Sequence, residues 1–234
     1  VPAADVRDAY GRRAVEYADF ACAPELMADP DRDLVARWAA GVDGRIIDAG
    51  CGPGQWTDFL RRSITNRSIT NDGTDDGTDD DGTRGDGTHE YTRVEGVDLV
   101  PEFVGIARSR FPGNPFRVAR LEALGVADAS VGGILSWYSI IHTEPDAVPG
   151  VLAEFARCLQ RGGSLLLGMF RQVDGARVEP FAHAVTTAYF WPVEEMSRLL
   201  TDAGFHVEEI ETRDDPGHRP HAALVARREP RDEA

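Results

Sequence analysis

The residues best suited to chemistry begin with Asp48-Ala-Gly-Cys-Gly-Pro-Gly54. Glycines at 50, 52 and 54 strip three side chains from one turn, so backbone N–H and C=O groups can approach a ligand closely. A second feature is Asp98, closing the run Gly-Val-Asp, where a carboxylate can accept both hydroxyls of a ribose. His142, in Trp137-Tyr-Ser-Ile-Ile-His-Thr-Glu144, titrates where a general base is useful near neutrality. Its competing reading is a structural histidine that orders the loop. The stretch His183-Ala-Val-Thr-Thr-Ala-Tyr189-Phe-Trp-Pro192 joins large aromatic area to polar tips, which suits a small organic ligand. Within it, Trp191 reads more simply as an anchor for the next helix.

Hydrophobic periodicity supplies the elements that must position these groups. Residues 3–20 and 31–41 read as amphipathic helices, the second with Leu34, Val35 and Trp38 at helical spacing. Arg45–Asp48 reads as a short strand, followed by the glycine turn and a helix around Gln55–Leu60. Then come a strand at 94–99, a helix at 101–110, and strands at 116–119 and 133–139. A helix near 147–159 stops at Gly162-Gly163, before a strongly apolar strand at 164–170. A helix at 192–203 opens with proline, and strands near 206–212 and 220–227 form a closing hairpin at the sheet edge. Repeated βα units specify an α/β, doubly wound sheet of seven strands, mostly parallel with an antiparallel edge strand and helices on both faces. Ligands bind such sheets beyond the carboxyl ends of the strands, where residues 50–54 fall.

One segment interrupts the pattern. Arg62-Ser-Ile-Thr-Asn66 repeats at once as Arg67–Asn71, and four Asp-Gly-Thr units follow between 72 and 88. Such a tract has too little apolar surface to offset its ordering entropy, so 63–90 reads as a disordered acidic insertion. A calcium-binding loop is the sharper alternative, but its spacing matches no EF-hand. The rest reads as one domain over 1–234, with residues 1–42 as a helical cap over the ligand-binding end of the sheet.

The glycine run, spaced G-x-G-x-G rather than the G-x-G-x-x-G of dinucleotide binders, closely resembles motif I of class I S-adenosylmethionine-dependent methyltransferases. Asp98 is similar to that family's ribose-binding acid. It lies 44 residues beyond Gly54, and removing the low-complexity tract restores the usual spacing near twenty. Ala119-Arg-Leu-Glu-Ala-Leu-Gly125 is similar to the adenine-contacting stretch, with Arg120 where an Asp often stands. The resemblance implies a Rossmann-like fold and S-adenosylmethionine as cofactor, S-adenosylhomocysteine being the product. It also implies a cofactor site made from Tyr17, Asp48, Ala49, Gly50, Gly52, Asp98, Leu99, Arg120, Leu121 and Ser136. Tyr10 and Tyr17 look like the tyrosine pair that closes over the cofactor, or else an ordinary packed helix face. On the acceptor side it implies Tyr138, His142, His183 and Tyr189, with His142 as the candidate catalytic base. Bacterial small-molecule enzymes of the family are the nearest in pattern, so oxygen or nitrogen methylation of a small biosynthetic acceptor is expected.

Charge and composition bear on the rivals. The net charge of −15 argues against a phosphate-tracking surface, and no basic cluster interleaved with aromatics appears. No nucleic-acid partner is expected, although an RNA methyltransferase of the same fold is the first alternative. An NAD-binding oxidoreductase is the second and lacks its glycine spacing; a non-catalytic cofactor-binding protein is the third. No run of 18 apolar residues suggests a membrane span, and the first residues lack the basic and apolar regions of a secretory signal. Three separated cysteines make no metal or disulfide framework, which fits a reducing cytoplasm. All 25 basic residues are arginine, as in the codon usage of a GC-rich bacterium. Nothing specifies the oligomeric state.

Overall fold

The computed structural model describes residues 3–21, 28–71 and 93–229. Seven strands form the central sheet in the order β3-β2-β1-β4-β5-β9-β8. They are β1 (Ile46–Ala49), β2 (Val94–Asp98), β3 (Phe116–Val118), β4 (Val131–Trp137), β5 (Leu159–Phe170), β8 (Phe205–Arg213) and β9 (His221–Arg228). The first five pair in parallel, and β9 is antiparallel to both β5 and β8. The antiparallel strand thus sits in the hairpin at that edge, with β8 outermost. The strand order reverses between β1 and β4, which opens a crevice at their carboxyl ends.

Alternation along each strand explains why both faces are covered. In β1, Ile46 enters one apolar layer and Ile47 the other; Leu135 and Ile134 of β4 divide in the same way. The layer holding Ile46 is closed by α3 (Asp29–Ala40) through Leu34, Val35 and Trp38, and by α4 (Gln55–Asn71) through Trp56 and Leu60. Opposite lie α6 (Val148–Cys158) and α7 (Val193–Asp202), which bury Leu152, Phe155, Met196 and Leu200. Period-two strands buried on both faces require this sandwich.

Three local expectations are revised. The helix read at 3–20 is two, α1 (Ala3–Arg12) and α2 (Ala14–Ala21), broken at Arg13. Of the cap expected from 1–42, α1, α2 and the start of α3 at Ala28 and Asp31 line the cleft, while the apolar stripe of α3 packs on the sheet. The repeated Arg-Ser-Ile-Thr-Asn unit, assigned to a disordered insert, continues α4 as helix to Asn71. There Ile64 packs on the core, and the Ser63 and Thr65 hydroxyls donate to the carbonyls of Phe59 and Arg61 four residues back, at 2.9 and 3.0 Å. The Asp-Gly-Thr units and the calcium reading lie outside the described residues. The segment after β5, to which the sequence pattern assigned no element, is a separate hairpin of β6 (Glu179–Ala182) and β7 (Thr187–Phe190), with Phe181 stacked on Phe190 at 4.2 Å. No helix among the described residues is long and apolar enough to cross a membrane.

Candidate active site

A cleft of about 1270 Å³ opens at the carboxyl ends of β1, β2 and β4, roofed by α1 and α2. Its first end is built from backbone. Gly50 has φ +84° and Gly52 has φ +52°, a left-handed region that strains any residue with a Cβ. A Cβ on Gly50 would lie 2.2 Å from Ser139 Cβ, so the loop after β4 packs directly on this turn. A Cβ on Gly52 would meet nothing within 4 Å and would stand in the cleft. The turn is anchored by the Gly50 and Cys51 amides, which both donate to the Val97 carbonyl at 2.8 and 2.9 Å.

Asp98 joins the turn to β2. One carboxylate oxygen accepts the Gly52 amide and the other the Val100 amide, each at 2.8 Å. Each oxygen therefore keeps a lone pair for an incoming hydroxyl. Burial raises this carboxyl to about 6, against the lowering effect of those amides. Leu99 and Leu121 line the same end.

Several residues assigned to the cofactor stand behind this wall. Asp48 is buried and accepts the Thr57 hydroxyl at 2.6 Å, fixing the first turn of α4 to β1; burial raises it to about 7. Ala49 and Ser136 are fully buried, and the Ser136 hydroxyl meets that of Ser139, 2.7 Å away. These three, expected at the cofactor, are buried outside the cleft lining, and Asp48 and Ser136 buttress the loops that do line it. Arg120 does line it, ion-paired with Glu122 at the mouth.

The roof is aromatic. Tyr10 and Tyr17 meet edge to face at 5.2 Å, and both pack on Phe103 of α5 (Pro101–Arg110). The Tyr10 hydroxyl lies 2.7 Å from His142 Nε2, while His142 Nδ1 lies 2.7 Å from the Thr187 carbonyl. A carbonyl only accepts, so Nδ1 carries the proton and Nε2 accepts from Tyr10. Burial lowers the His142 pKa, which keeps the ring neutral. One histidine thus ties the roof, the loop after β4 and the β6–β7 hairpin together.

The far end of the cleft is made of side chains. Tyr138 follows β4 with φ +54°, a strained conformation for a tyrosine. Its hydroxyl bonds His221 Nδ1, and its ring lies 4.9 Å from Phe170. His183 lines this end, whereas Tyr189, expected beside it, is buried, and its hydroxyl donates to Glu144 at 2.7 Å. Burial pushes His183 and His221 down to about 4, leaving both neutral at physiological pH. Arg213, Arg219 and His221 were missed by sequence reasoning. Their one signal was the density of Arg and His around the turn between β8 and β9, far in sequence from any motif. Among the described residues, no group of three His, Cys, Asp or Glu side chains could hold a metal ion.

A family model described as a methyltransferase domain matches residues 23–210, and the chain belongs to that family. It is a class I S-adenosylmethionine-dependent methyltransferase. No curated protein sequence matches it significantly. Among solved structures, it is similar to the 1,6-didemethyltoxoflavin-N1-methyltransferase of Burkholderia thailandensis, crystallised with 1,6-didemethyltoxoflavin and S-adenosylhomocysteine. The TM-score is 0.72 at 20% identity, over 97% of this chain and 89% of that one. Magnesium protoporphyrin IX methyltransferase from Synechocystis PCC 6803, with bound S-adenosylhomocysteine, gives 0.64 at 16% identity, over 97% and 99% of the two chains. A methyltransferase of Haloferax volcanii, described in complex with the activator Trm112, gives 0.64 at 17% identity, over 98% and 100%.

Proposed function

We propose that this enzyme methylates an oxygen or nitrogen atom of a small organic acceptor in biosynthesis, inside the cell. One observation carries the reading: a single cleft runs from the Gly52–Asp98 end to a chamber walled by Tyr138, Phe170 and His183. S-adenosylmethionine supplies an electrophilic methyl group on its sulfonium. The residues present fit that cofactor, since Asp98 has two free lone pairs for ribose hydroxyls and the turn leaves open space above Gly52. The two named neighbours with bound S-adenosylhomocysteine act on heteroaromatic molecules, which favours a small acceptor here. The net charge of −15 disfavours RNA.

In this reading the protein's main contribution is alignment, worth about 7–11 kcal/mol when approach geometry is good. Tyr10, Tyr17 and Phe103 close the roof and exclude water. For a hydroxyl acceptor, a proton must leave as the bond forms. Tyr10 is placed to take it, while its own proton passes to His142 Nε2; the ring then donates from both nitrogens, Nδ1 still to Thr187. His142 is therefore a positioned base acting through Tyr10. Its lowered pKa keeps it in the accepting form at neutral pH.

Two measurements test the assignment. Calorimetry should show S-adenosylhomocysteine binding and no NAD binding. Methyl-labelled S-adenosylmethionine should deliver label to members of a panel of phenols and heteroaromatic amines, and none to transfer RNA. Label passing to the RNA alone would overturn the small-molecule reading.

A further inference from the structure

Three arginines line the cleft, and two are neutralised. Arg120 pairs with Glu122, while Arg213 is held between Asp31 at 2.7 Å and Asp215 at 2.6 Å. Arg219 pairs with no carboxylate among the described residues. Its guanidinium instead lies over the ring of Phe181, 5.0 Å from the centroid, and 5.7 Å from that of Phe170. A stacked guanidinium is held in orientation while its N–H edge stays free, the arrangement that recognises a planar carboxylate through two parallel hydrogen bonds. Beside it, His183 Nδ1 is buried without a hydrogen-bonding partner among the described residues. The walls between these groups are ring faces: Tyr138 against Phe170 at 4.9 Å, and His183 against Phe170 at 6.0 Å.

We propose that the acceptor is a planar aromatic molecule bearing a carboxylate, and that Arg219 is the specificity-determining residue that binds this group. The inference rests on the methyl-transfer reading above and adds the class of acceptor to it. Arg219 is the one cleft guanidinium with no carboxylate partner among the described residues, so it is the group at this end left to meet an anion. His183 is neutral and offers a hydrogen bond rather than a competing charge. Aromatic faces account for the preference for a flat molecule.

The test uses the full chain saturated with S-adenosylhomocysteine and matched aromatic pairs that differ only in charge: 3-hydroxybenzoate against 3-hydroxybenzamide, and indole-2-carboxylate against indole-2-carboxamide. Titration calorimetry should give each acid an advantage of about tenfold over its amide. Arg219→Gln should abolish that advantage. Arg219→Lys should restore only part of it, because a point charge lacks the planar fork. The thermal unfolding midpoint of each variant, loaded with S-adenosylhomocysteine, is the control for folding. Equal binding of acid and amide by the wild type, no acid in the panel binding at all, or an advantage that survives Arg219→Gln would each overturn the proposal. Failure of the wild type to bind S-adenosylhomocysteine would strike at the methyltransferase reading instead, and the two failures are distinguishable.

Discussion

At the cofactor end of the cleft, Gly50, Gly52 and Asp98 offer a backbone wall free of side chains and one carboxylate, all from the ends of two paired strands. At the acceptor end, Tyr138, His183 and Arg219 arrive on three separate connections, after β4, between β6 and β7, and between β8 and β9. The first end is fixed by topology: any chain with this strand order brings the β1 turn beside the tip of β2. The second depends on which side chains the connections carry, and the same sheet would tolerate many others. Fold and cofactor are therefore shared across a family, while acceptor choice belongs to each member.

The contrast can be broken most severely at Gly50. Gly50→Ala places a Cβ 2.2 Å from Ser139 Cβ at φ +84°, so it should cost about 2–5 kcal/mol and disorder the acceptor loop as well. Gly52→Ala shares the strain but not the clash; about 1–2 kcal/mol should be lost, with weaker S-adenosylhomocysteine binding. Urea unfolding of both variants checks this, and equal losses would show that the Ser139 contact does not matter. Next in size is His142→Gln. If the base acts through Tyr10, turnover should fall about 10²–10⁴-fold. In the wild type, turnover should rise with pH to a midpoint below the ordinary histidine value; that limb should vanish in the variant. A variant that is slower but keeps the wild-type profile would reduce His142 to the structural latch its two hydrogen bonds also describe.

The same contrast governs what was legible beforehand. Glycine spacing and Asp98 are local signals, and alternating strands and helices place them at one sheet end without further information. Asp48 was legible as a motif member but not as a buried buttress, because sequence cannot tell a carboxylate facing the cleft from one facing Thr57. Tyr189 misled for a related reason: in β7 successive side chains alternate, and the face it occupies is set by pairing with β6. Arg219 was invisible, since its role depends on Phe181, which lies 38 positions away in the chain. The helical repeat before the acidic tract was not legible, because its low complexity gives no sign that Ile64 packs on the core.

Asp98→Asn sharpens the comparison more gently. The amide side chain is nearly isosteric, yet its NH₂ must face an N–H from Gly52 or Val100, where only an acceptor fits. S-adenosylhomocysteine should bind about 10- to 100-fold more weakly, while acceptor-end properties such as the Tyr138–His221 contact stay unchanged. Nuclear magnetic resonance of the histidine rings would report that contact directly. Movement of the His221 signals would show that the two ends are coupled.

The mildest perturbation is pH. Asp98 titrates at about 6, and ribose hydroxyls that donate to it favour its ionised form. Cofactor affinity should therefore be constant above pH 7 and weaken as pH falls below 6, approaching about tenfold per pH unit. Stability runs the other way. This carboxyl holds its proton in the fold up to about 6, whereas the unfolded chain releases it near the ordinary aspartate value. Its stabilising contribution is complete below that ordinary value and is lost as pH rises through 6. At the acceptor end, His183 and His221, held down near 4, stay neutral over the same window, so binding of an uncharged aromatic should not change between pH 5.5 and 7. Calorimetric titration of S-adenosylhomocysteine in buffers of different ionisation heat measures the proton released on binding. A dissociation constant flat from pH 5 to 7, with no proton released, would mean that the ribose hydroxyls do not meet Asp98.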